Sequence, residues 1–150
     1  MDYTNSFAIS ASGMTLERLR LDVTALNLAN ANTTKKADGS LYRPMKVVAS
    51  PGETFVEVLK NEANAASLKG SEVKGVVDVQ LVPSSVGPKK VHDPAHPHAD
   101  EKGFVEYPNV NPADEMINMI SAQRSYEANV KAFNATKTMA LRALQIGGNK

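Results

Sequence analysis

The chain contains no cysteine and no tryptophan among its 150 residues, and aromatic residues make up only 5% of it. The absence of cysteine excludes disulfides, thiolate chemistry and cysteine zinc sites. The shortage of aromatic side chains favours shallow, extended packing over one deep core. Basic and acidic residues nearly balance at 17 and 16, and no block of like charge appears. Nothing therefore indicates a nucleic-acid partner or a polybasic membrane anchor.

Long hydrophobic runs are missing as well. No segment approaches the roughly 20 apolar residues that a bilayer-spanning helix needs. The segment Met1-Asp2-Tyr3-Thr4-Asn5 lacks the basic and apolar regions of a cleaved secretory signal. We therefore expect a soluble protein, or one exported without a cleaved signal peptide, with no direct lipid binding.

Residues from about Thr4 to Ala31 predict a long amphipathic helix with two opposed apolar stripes. Two such stripes indicate a helix held between partners, and a central helix of a monomeric bundle is the alternative. Gly13 costs this helix about 1 kcal/mol relative to alanine. One stripe is Ile9, Leu16, Leu19, Val23 and Leu26, the other is Phe7, Met14, Leu21, Ala25 and Leu28, and the flanks are Glu17, Arg18, Arg20, Asp22 and Thr24.

Three asparagines close this helix. Asn27, Asn30 and Asn32 precede a Thr-Thr pair. Asparagine favours turns because its amide bonds to nearby backbone and tolerates left-handed dihedrals. The cluster predicts a helix end followed by polar fastening of the exit loop.

A second long helix is predicted from Pro112 to Ile146. Asn111 suits the N-cap, proline the first helical position, and Asp114 and Glu115 the first turn. Glycines 147 and 148 close the helix. Its apolar stripe is Met116, Met119, Ile120, Tyr126, Val130, Phe133, Leu141 and Leu144, and its small-residue face is Ser121, Ser125, Ala128, Ala132, Ala135, Met139, Ala143 and Ile146.

The small-residue face allows backbones to approach closely, so it is a candidate inter-subunit contact. Simple helix propensity of alanine is the alternative explanation. A helix of about 35 residues is roughly 52 Å long, which exceeds the diameter of a compact globule of this size. The pattern therefore predicts an elongated molecule.

The middle of the chain is typical of strands and turns. Strands are expected at 41–48, 55–59, 76–82 and 103–107, and the alanine-rich segment 61–70 suits a short helix or a loop. The resulting fold class is α+β: long N- and C-terminal helices packed as an elongated coiled-coil-like pair, with a small β-rich middle domain. The expected segments are 1–34, the axial helix and exit loop, 35–110, the β-rich domain, and 111–150, the second axial helix.

One loop offers metal-binding side chains. His92, His96 and His98 lie near Asp93 and Asp100, and imidazole and carboxylate are good zinc ligands. Their spacing is not that of a helical pair, and two prolines hold the loop extended. A metal-dependent enzyme using the His92–His98 loop is therefore only an alternative. No phosphate-binding loop, nucleophile elbow or catalytic triad is visible, so we expect no enzyme, no cofactor and no metal.

Several motifs together resemble a known family. Ser12-Gly13-Met14 and the segment 26–33 resemble the N-terminal signature of bacterial flagellar rod, hook and related axial proteins. The stretches 91–100, 103–111 and 115–129 are similar to the proximal rod proteins of that family. The resemblance covers the first 34 and about the last 60 residues.

The resemblance implies a structural subunit of the flagellar basal-body proximal rod. Such subunits polymerise helically through their terminal helices into a periplasmic drive shaft, which transmits torque from the MS ring to the distal rod and hook. The implied partners are other copies of the chain, the rod proteins FlgB, FlgF and FlgG, the rod/MS-ring adaptor FliE and the flagellar type III export apparatus. Another flagellar or type III secretion axial component is the alternative.

The stripes and the resemblance together predict an assembly surface on both helices. Its members on the first helix are Phe7, Met14, Leu16, Leu19, Leu21, Val23, Leu26, Leu28, Asn30 and Asn32. Its members on the second are Met116, Ile120, Tyr126, Ala128, Val130, Ala132, Phe133, Ala135, Leu141 and Leu144.

Overall fold

The computed structural model describes residues 3–34, 39–51 and 75–148. Helix α1 (Tyr3–Ala29) is followed by strands β1 (Met45–Pro51), β2 (Val76–Pro83), β3 (Lys89–His92) and β4 (Phe104–Tyr107), and by helix α2 (Pro112–Gly147). The two helices pack against each other, and the strands form two small sheets. The predicted α+β fold class is confirmed.

Helix α2 begins and ends where local signals place it. The Asn111 side-chain oxygen accepts a hydrogen bond from the Ala113 N–H at 3.1 Å, and its amide donates to Asp114 at 2.9 Å. At the other end, the Gly148 N–H donates to the Leu144 carbonyl at 2.8 Å. Both ends therefore satisfy backbone or side-chain groups that the helix itself leaves open.

The strands pair as β1 with β2 and β3 with β4. The second pair is antiparallel, and Lys90 and Glu106 lie opposite each other with a 3.0 Å ion pair between their side chains. Both side chains are largely exposed, so this pair contributes little to stability. It does mark the register of the hairpin.

Two strand predictions need correction. Strand β1 begins at Met45, not at Leu41, because Pro44 has no N–H to donate to a ladder; its carbonyl instead accepts from the Ser84 N–H at 2.7 Å. The sequence pattern predicted no strand at Lys89–His92 and placed His92 in a loop, whereas the structure forms β3 there with all four side chains exposed. The segments 55–59 and 61–70 lie outside the described residues.

The chain forms two compact units. The first comprises Met1–Arg18, Ala49–Gln80 and Arg124–Lys150, and the second comprises Leu19–Val48 and Leu81–Gln123. In the first, the rings of Phe7 and Phe133 pack with centroids 4.8 Å apart. In the second, Val105 of β4 is the most deeply buried apolar side chain. The division into 1–34, 35–110 and 111–150 stays a prediction.

Within the described part of the chain, neither helix combines the length and the apolar character that crossing a bilayer requires.

Candidate assembly interface

The buried face of helix α1 is largely polar. Ser10, Glu17 and Thr24 recur every seven residues and are all buried, and Ala31, two residues beyond the helix end, is buried as well. Leu16 and Val23 lie beside them and are buried too. The flank positions predicted for Glu17 and Thr24 are therefore wrong. A seven-residue spacing repeats one face of a helix whatever the side chains are, and hydrophobicity alone does not reveal it.

Helix α2 presents a matching face. Glu115, Ala122, Asn129 and Thr136 also recur every seven residues, and each is buried or half-buried. The helix itself satisfies two of these polar groups. The Thr136 hydroxyl donates to the Ala132 carbonyl at 3.0 Å, and the Asn129 amide donates to the Ser125 carbonyl at 3.0 Å. Burial of the Thr136 and Asn129 side chains therefore leaves these hydrogen bonds intact, which reduces the free-energy cost of placing polar groups in the helix contact.

In the first unit the two helices lie close together at Gly13. A Cβ atom placed there would lie 2.9 Å from the Asn129 amide nitrogen and 3.0 Å from its Cγ. Phe7, which precedes Gly13 in α1, contacts Phe133, which follows Asn129 in α2, so the two helices run antiparallel. Glycine at position 13 lowers the helix propensity of α1, but it allows close packing against α2. The sequence pattern did not predict this contact.

Gly75 makes a second close approach in the same unit. A Cβ atom there would clash with the Ser12 hydroxyl and lie 3.3 Å from the Ile9 Cα. The chain entering β2 therefore passes directly over the first turns of α1. Only glycine permits this backbone to lie so near the helix.

In the second unit Asn27 joins three parts of the chain. Its side chain is only 2% exposed. The side-chain oxygen accepts from the Met45 N–H at 3.0 Å and from the Tyr42 hydroxyl at 2.9 Å. The amide nitrogen donates to the Met45 carbonyl at 2.9 Å and to Glu115 at 3.5 Å. The amide thus pairs with Met45 as a neighbouring strand would.

This geometry explains the protonation of Tyr42. Partial burial, with the nearby Glu115 carboxylate as a second cause, raises the pKa of the Tyr42 phenol above its usual value. The phenol therefore stays protonated and donates to Asn27. The asparagine cluster was predicted to fasten the exit loop, and Asn27 does so through β1.

The histidine loop is held by contacts of its own. The His92 ring packs edge-on against Phe104 with centroids 5.0 Å apart, and the His98 N–H donates to the His96 ring at 3.1 Å. The His98 ring lies 2.8 Å from the Thr34 hydroxyl in the loop that follows α1. Within residues 3–34, 39–51 and 75–148, no group of three or more histidine, aspartate or glutamate side chains is arranged to hold a metal ion.

Asp100 closes the turn into β4. One carboxylate oxygen accepts from the N–H groups of Phe104 at 2.8 Å and Lys102 at 2.9 Å. The bond from Phe104 is the largest influence that holds the pKa of the Asp100 carboxyl below its ordinary value, and the bond from Lys102 acts in the same direction.

We expect this turn to loosen in acid. A depressed folded-state pKa means that the carboxylate stabilises the hairpin above the ordinary aspartate pKa of about 3.9, and that this contribution is lost as pH falls through the folded-state pKa. A ¹³C NMR titration of the Asp100 carboxyl should give a midpoint below the ordinary value. Asp100→Asn keeps one acceptor oxygen and should remove the acid transition of the Phe104 amide shift. A midpoint at or above the ordinary value would contradict this account.

The structure divides the predicted assembly surface into three sets. Leu16 and Val23 are buried within the single chain. Phe7, Met14, Leu19, Leu21, Leu28, Asn30, Val130 and Phe133 are half-buried. Leu26, Asn32, Met116, Ile120, Tyr126, Ala128, Ala132, Ala135, Leu141 and Leu144 are exposed.

Comparison with known proteins identifies the family. Residues 7–35 match the family described as flagella basal body rod protein, and residues 101–146 match the C-terminal family of flagellar basal body rod FlgEFG proteins. The chain is 39% identical over 148 residues to the flagellar basal-body rod protein FlgC of Bacillus subtilis, with 95% of this chain and 97% of the relative covered. The chain belongs to the FlgC family of flagellar basal-body rod proteins.

Other FlgC proteins match as completely. The Escherichia coli O157:H7 protein is 39% identical over 147 residues, covering 98% of this chain and 99% of that protein. The Borreliella burgdorferi protein is 35% identical over 159 residues, covering 97% and 98%. As a FlgC-family member, the chain is a structural subunit of the flagellar basal-body rod. The resemblance to flagellar rod proteins is therefore confirmed at both ends of the chain.

Proposed function

We propose that this chain polymerises helically through its terminal helices to build the proximal rod, which carries torque from the MS ring to the distal rod and hook. The observation that carries the proposal is a set of large apolar side chains left exposed on both helices. Met116, Ile117 and Ile120 of α2 are 52%, 65% and 52% exposed, and Leu26 of α1 is 57% exposed. A helix in a monomeric globular protein normally buries its large apolar side chains against the core of the same chain.

The three exposed α2 residues lie on the side of the helix away from α1. At 100° per residue Ile117 falls roughly opposite the covered positions Glu115, Met119 and Ala122, whereas Ile120 and Met116 fall about 130° and about 90° from them. The intrachain contact therefore cannot cover them. Burial of the remaining exposed surface of each such side chain by a neighbouring subunit would contribute about 1–2 kcal/mol, because each is already about half covered.

The same proposal covers segments, partners and location. Segments 1–34 and 111–150 form the axial layer, and 35–110 forms the domain outside it. The partners are further copies, FlgB, FlgF and FlgG, the adaptor FliE and the flagellar type III export apparatus. The subunit is exported to a rod that spans the periplasm, without cleavage of a signal peptide. The role is mechanical and uses no catalytic site.

Ala132→Glu tests the proposal. Ala132 is exposed in the single chain, so a glutamate there should change the free energy of unfolding by less than about 0.5 kcal/mol. In the polymer it would place a charge on the small-residue face, and burial of an unpaired charge costs several kcal/mol. We expect normal soluble protein but little incorporation into purified basal bodies and a large loss of swimming.

Ala95→Glu is the matched control, because Ala95 is an exposed alanine of the histidine loop and lies outside the proposed surface. It should swim normally. Normal swimming of the Ala132→Glu strain, with the variant present in its rods, would refute the proposed surface. Equal loss of monomer stability would place that face inside the chain.

A further inference from the structure

Helix α2 extends beyond the start of helix α1 within the first unit. Phe7 lies against Phe133, and the two helices are antiparallel there. Tyr3, where α1 begins, is four residues before Phe7 and so lies near Lys137. Helix α2 continues for ten more residues to Gly147, or about 15 Å. We call residues 138–147 the α2 extension.

The α2 extension continues the face that α1 covers further back. Phe133, Thr136 and Ala140 are buried or half-buried on this face, and spacings of three and four residues carry it on to Leu144. Leu144 is 72% exposed, and Leu141 beside it is 52% exposed. The same face thus changes from covered to uncovered between Ala140 and Leu144, about one turn past the level at which α1 begins, so a further helix fits the uncovered part.

The charges near the α2 extension help to decide which helix could cover Leu141 and Leu144. Lys137 and Arg142 flank Leu141, and no acidic residue follows Glu127 in the sequence. A second copy of the same extension would therefore bring like charges together. This disfavours a symmetric contact between two α2 extensions.

Helix α1 offers an outer face without charge. Its first fourteen residues, Tyr3 to Leu16, contain no acidic or basic side chain. Thr4, Ala8, Ala11 and Thr15 are exposed and recur every three or four residues, so they form one stripe away from α2. Small side chains leave room for a leucine to reach the backbone. This face of α1 is uncharged and carries small side chains, whereas the α2 extension carries the large apolar side chains Leu141 and Leu144.

We propose that Leu141 and Leu144 of one copy pack on the Thr4–Thr15 outer face of helix α1 in a second copy. The proposal rests on the proposed function and specifies one contact of the polymer. The two surfaces are different, so the contact is heterologous, and repetition of it produces an open helical assembly instead of a closed dimer. It also continues the antiparallel contact that α1 and α2 make within one chain.

Cysteine cross-linking tests this contact, because the natural chain has no cysteine. A chain carrying both Ala8→Cys and Leu144→Cys is expressed in swimming cells, and isolated basal bodies are oxidised. Ala8 lies near residue 132 of its own α2, twelve residues or about 18 Å from position 144. A disulfide needs Cα atoms within about 7 Å, so it cannot form within one chain. We expect a reducible ladder of dimers, trimers and longer species.

Leu144→Cys combined with Ala95→Cys is the matched control and should give no ladder. Rods that contain the Ala8/Leu144 variant but show no ladder, or dimers alone, would overturn the proposed contact and leave the rod function standing. Rods that lack the natural chain would instead refute the proposed function.

A charge exchange supplies a second test that needs no oxidation. Leu144→Glu and Ala8→Lys should each reduce swimming at least tenfold without changing monomer stability, since both residues are exposed. The chain carrying both changes should recover most of the swimming, because the new charges would face each other. Absence of any recovery would overturn the contact.

Discussion

Asn27→Leu should lower the free energy of unfolding by about 3 kcal/mol. Leucine has the same branching and number of side-chain heavy atoms as asparagine, so most of the loss comes from unmade hydrogen bonds. The Met45 N–H and carbonyl and the Tyr42 hydroxyl would lose the partner they have at 2.9–3.0 Å. Each buried polar group left without a partner costs about 1–3 kcal/mol. Urea denaturation of the purified chain measures the difference.

Asn32→Leu is the matched control, because Asn32 is an exposed asparagine five residues further along the chain. Its change in unfolding free energy should stay within about 0.5 kcal/mol. Asn27→Asp keeps the acceptor oxygen, but it removes the donor to Met45 and places a second carboxylate near Glu115. It should also be strongly destabilised. An Asn27→Leu chain as stable as the natural one would show that the Asn27 bonds do not hold the exit loop.

Gly13→Val should destabilise the chain by about 2 kcal/mol, although valine forms helices better than glycine does. The added carbons would enter the space of the Asn129 side chain, which lies 2.9–3.0 Å from a Cβ atom at this position. Asn129 must then move and lose its bond to the Ser125 carbonyl. Thermal unfolding followed by circular dichroism measures the loss.

The paired variant Asn129→Ala tests whether the Asn129 side chain causes the destabilisation by Gly13→Val. In that background Gly13→Val should cost much less, because the obstructing amide is gone, and the difference gives the coupling energy between the two positions. Gly147→Val is the control for valine at a helical glycine, since nothing lies within 4 Å of a Cβ atom there. Equal costs in both backgrounds would mean that Asn129 does not limit the approach of the helices.

Local sequence signals predicted the helices well. Asn111 and Gly148 act through hydrogen bonds only a few residues away, and Pro112 acts through its fixed φ, so all three can be recognised without knowledge of the fold. The polar fastening by asparagine was predicted for the same reason. The partners of Asn27 were not predictable, because Met45 and Glu115 lie 18 and 88 residues along the chain.

The contact faces of the helices were harder to predict. The apolar stripes did not include every buried position of α1, since Ser10, Glu17 and Thr24 lie inside. Nor did they include Ile117 of α2, which is 65% exposed. A pattern of hydrophobicity does not tell which apolar residues the single chain covers. Strand β3 was not predicted from the sequence, because an exposed strand has no apolar pattern to detect.

The contact between the helices mixes apolar and polar side chains: Phe7 packs on Phe133, while the Thr136 and Asn129 side chains bond to their own helix. Gly13 leaves room for the Asn129 side chain, and the Asn27 amide donates to Glu115 at 3.5 Å. Sliding one helix along the other would bring a bulkier side chain against Asn129 and would break the bond from Asn27. The two helices therefore have one preferred alignment, set by particular side chains and not by the covered apolar area alone.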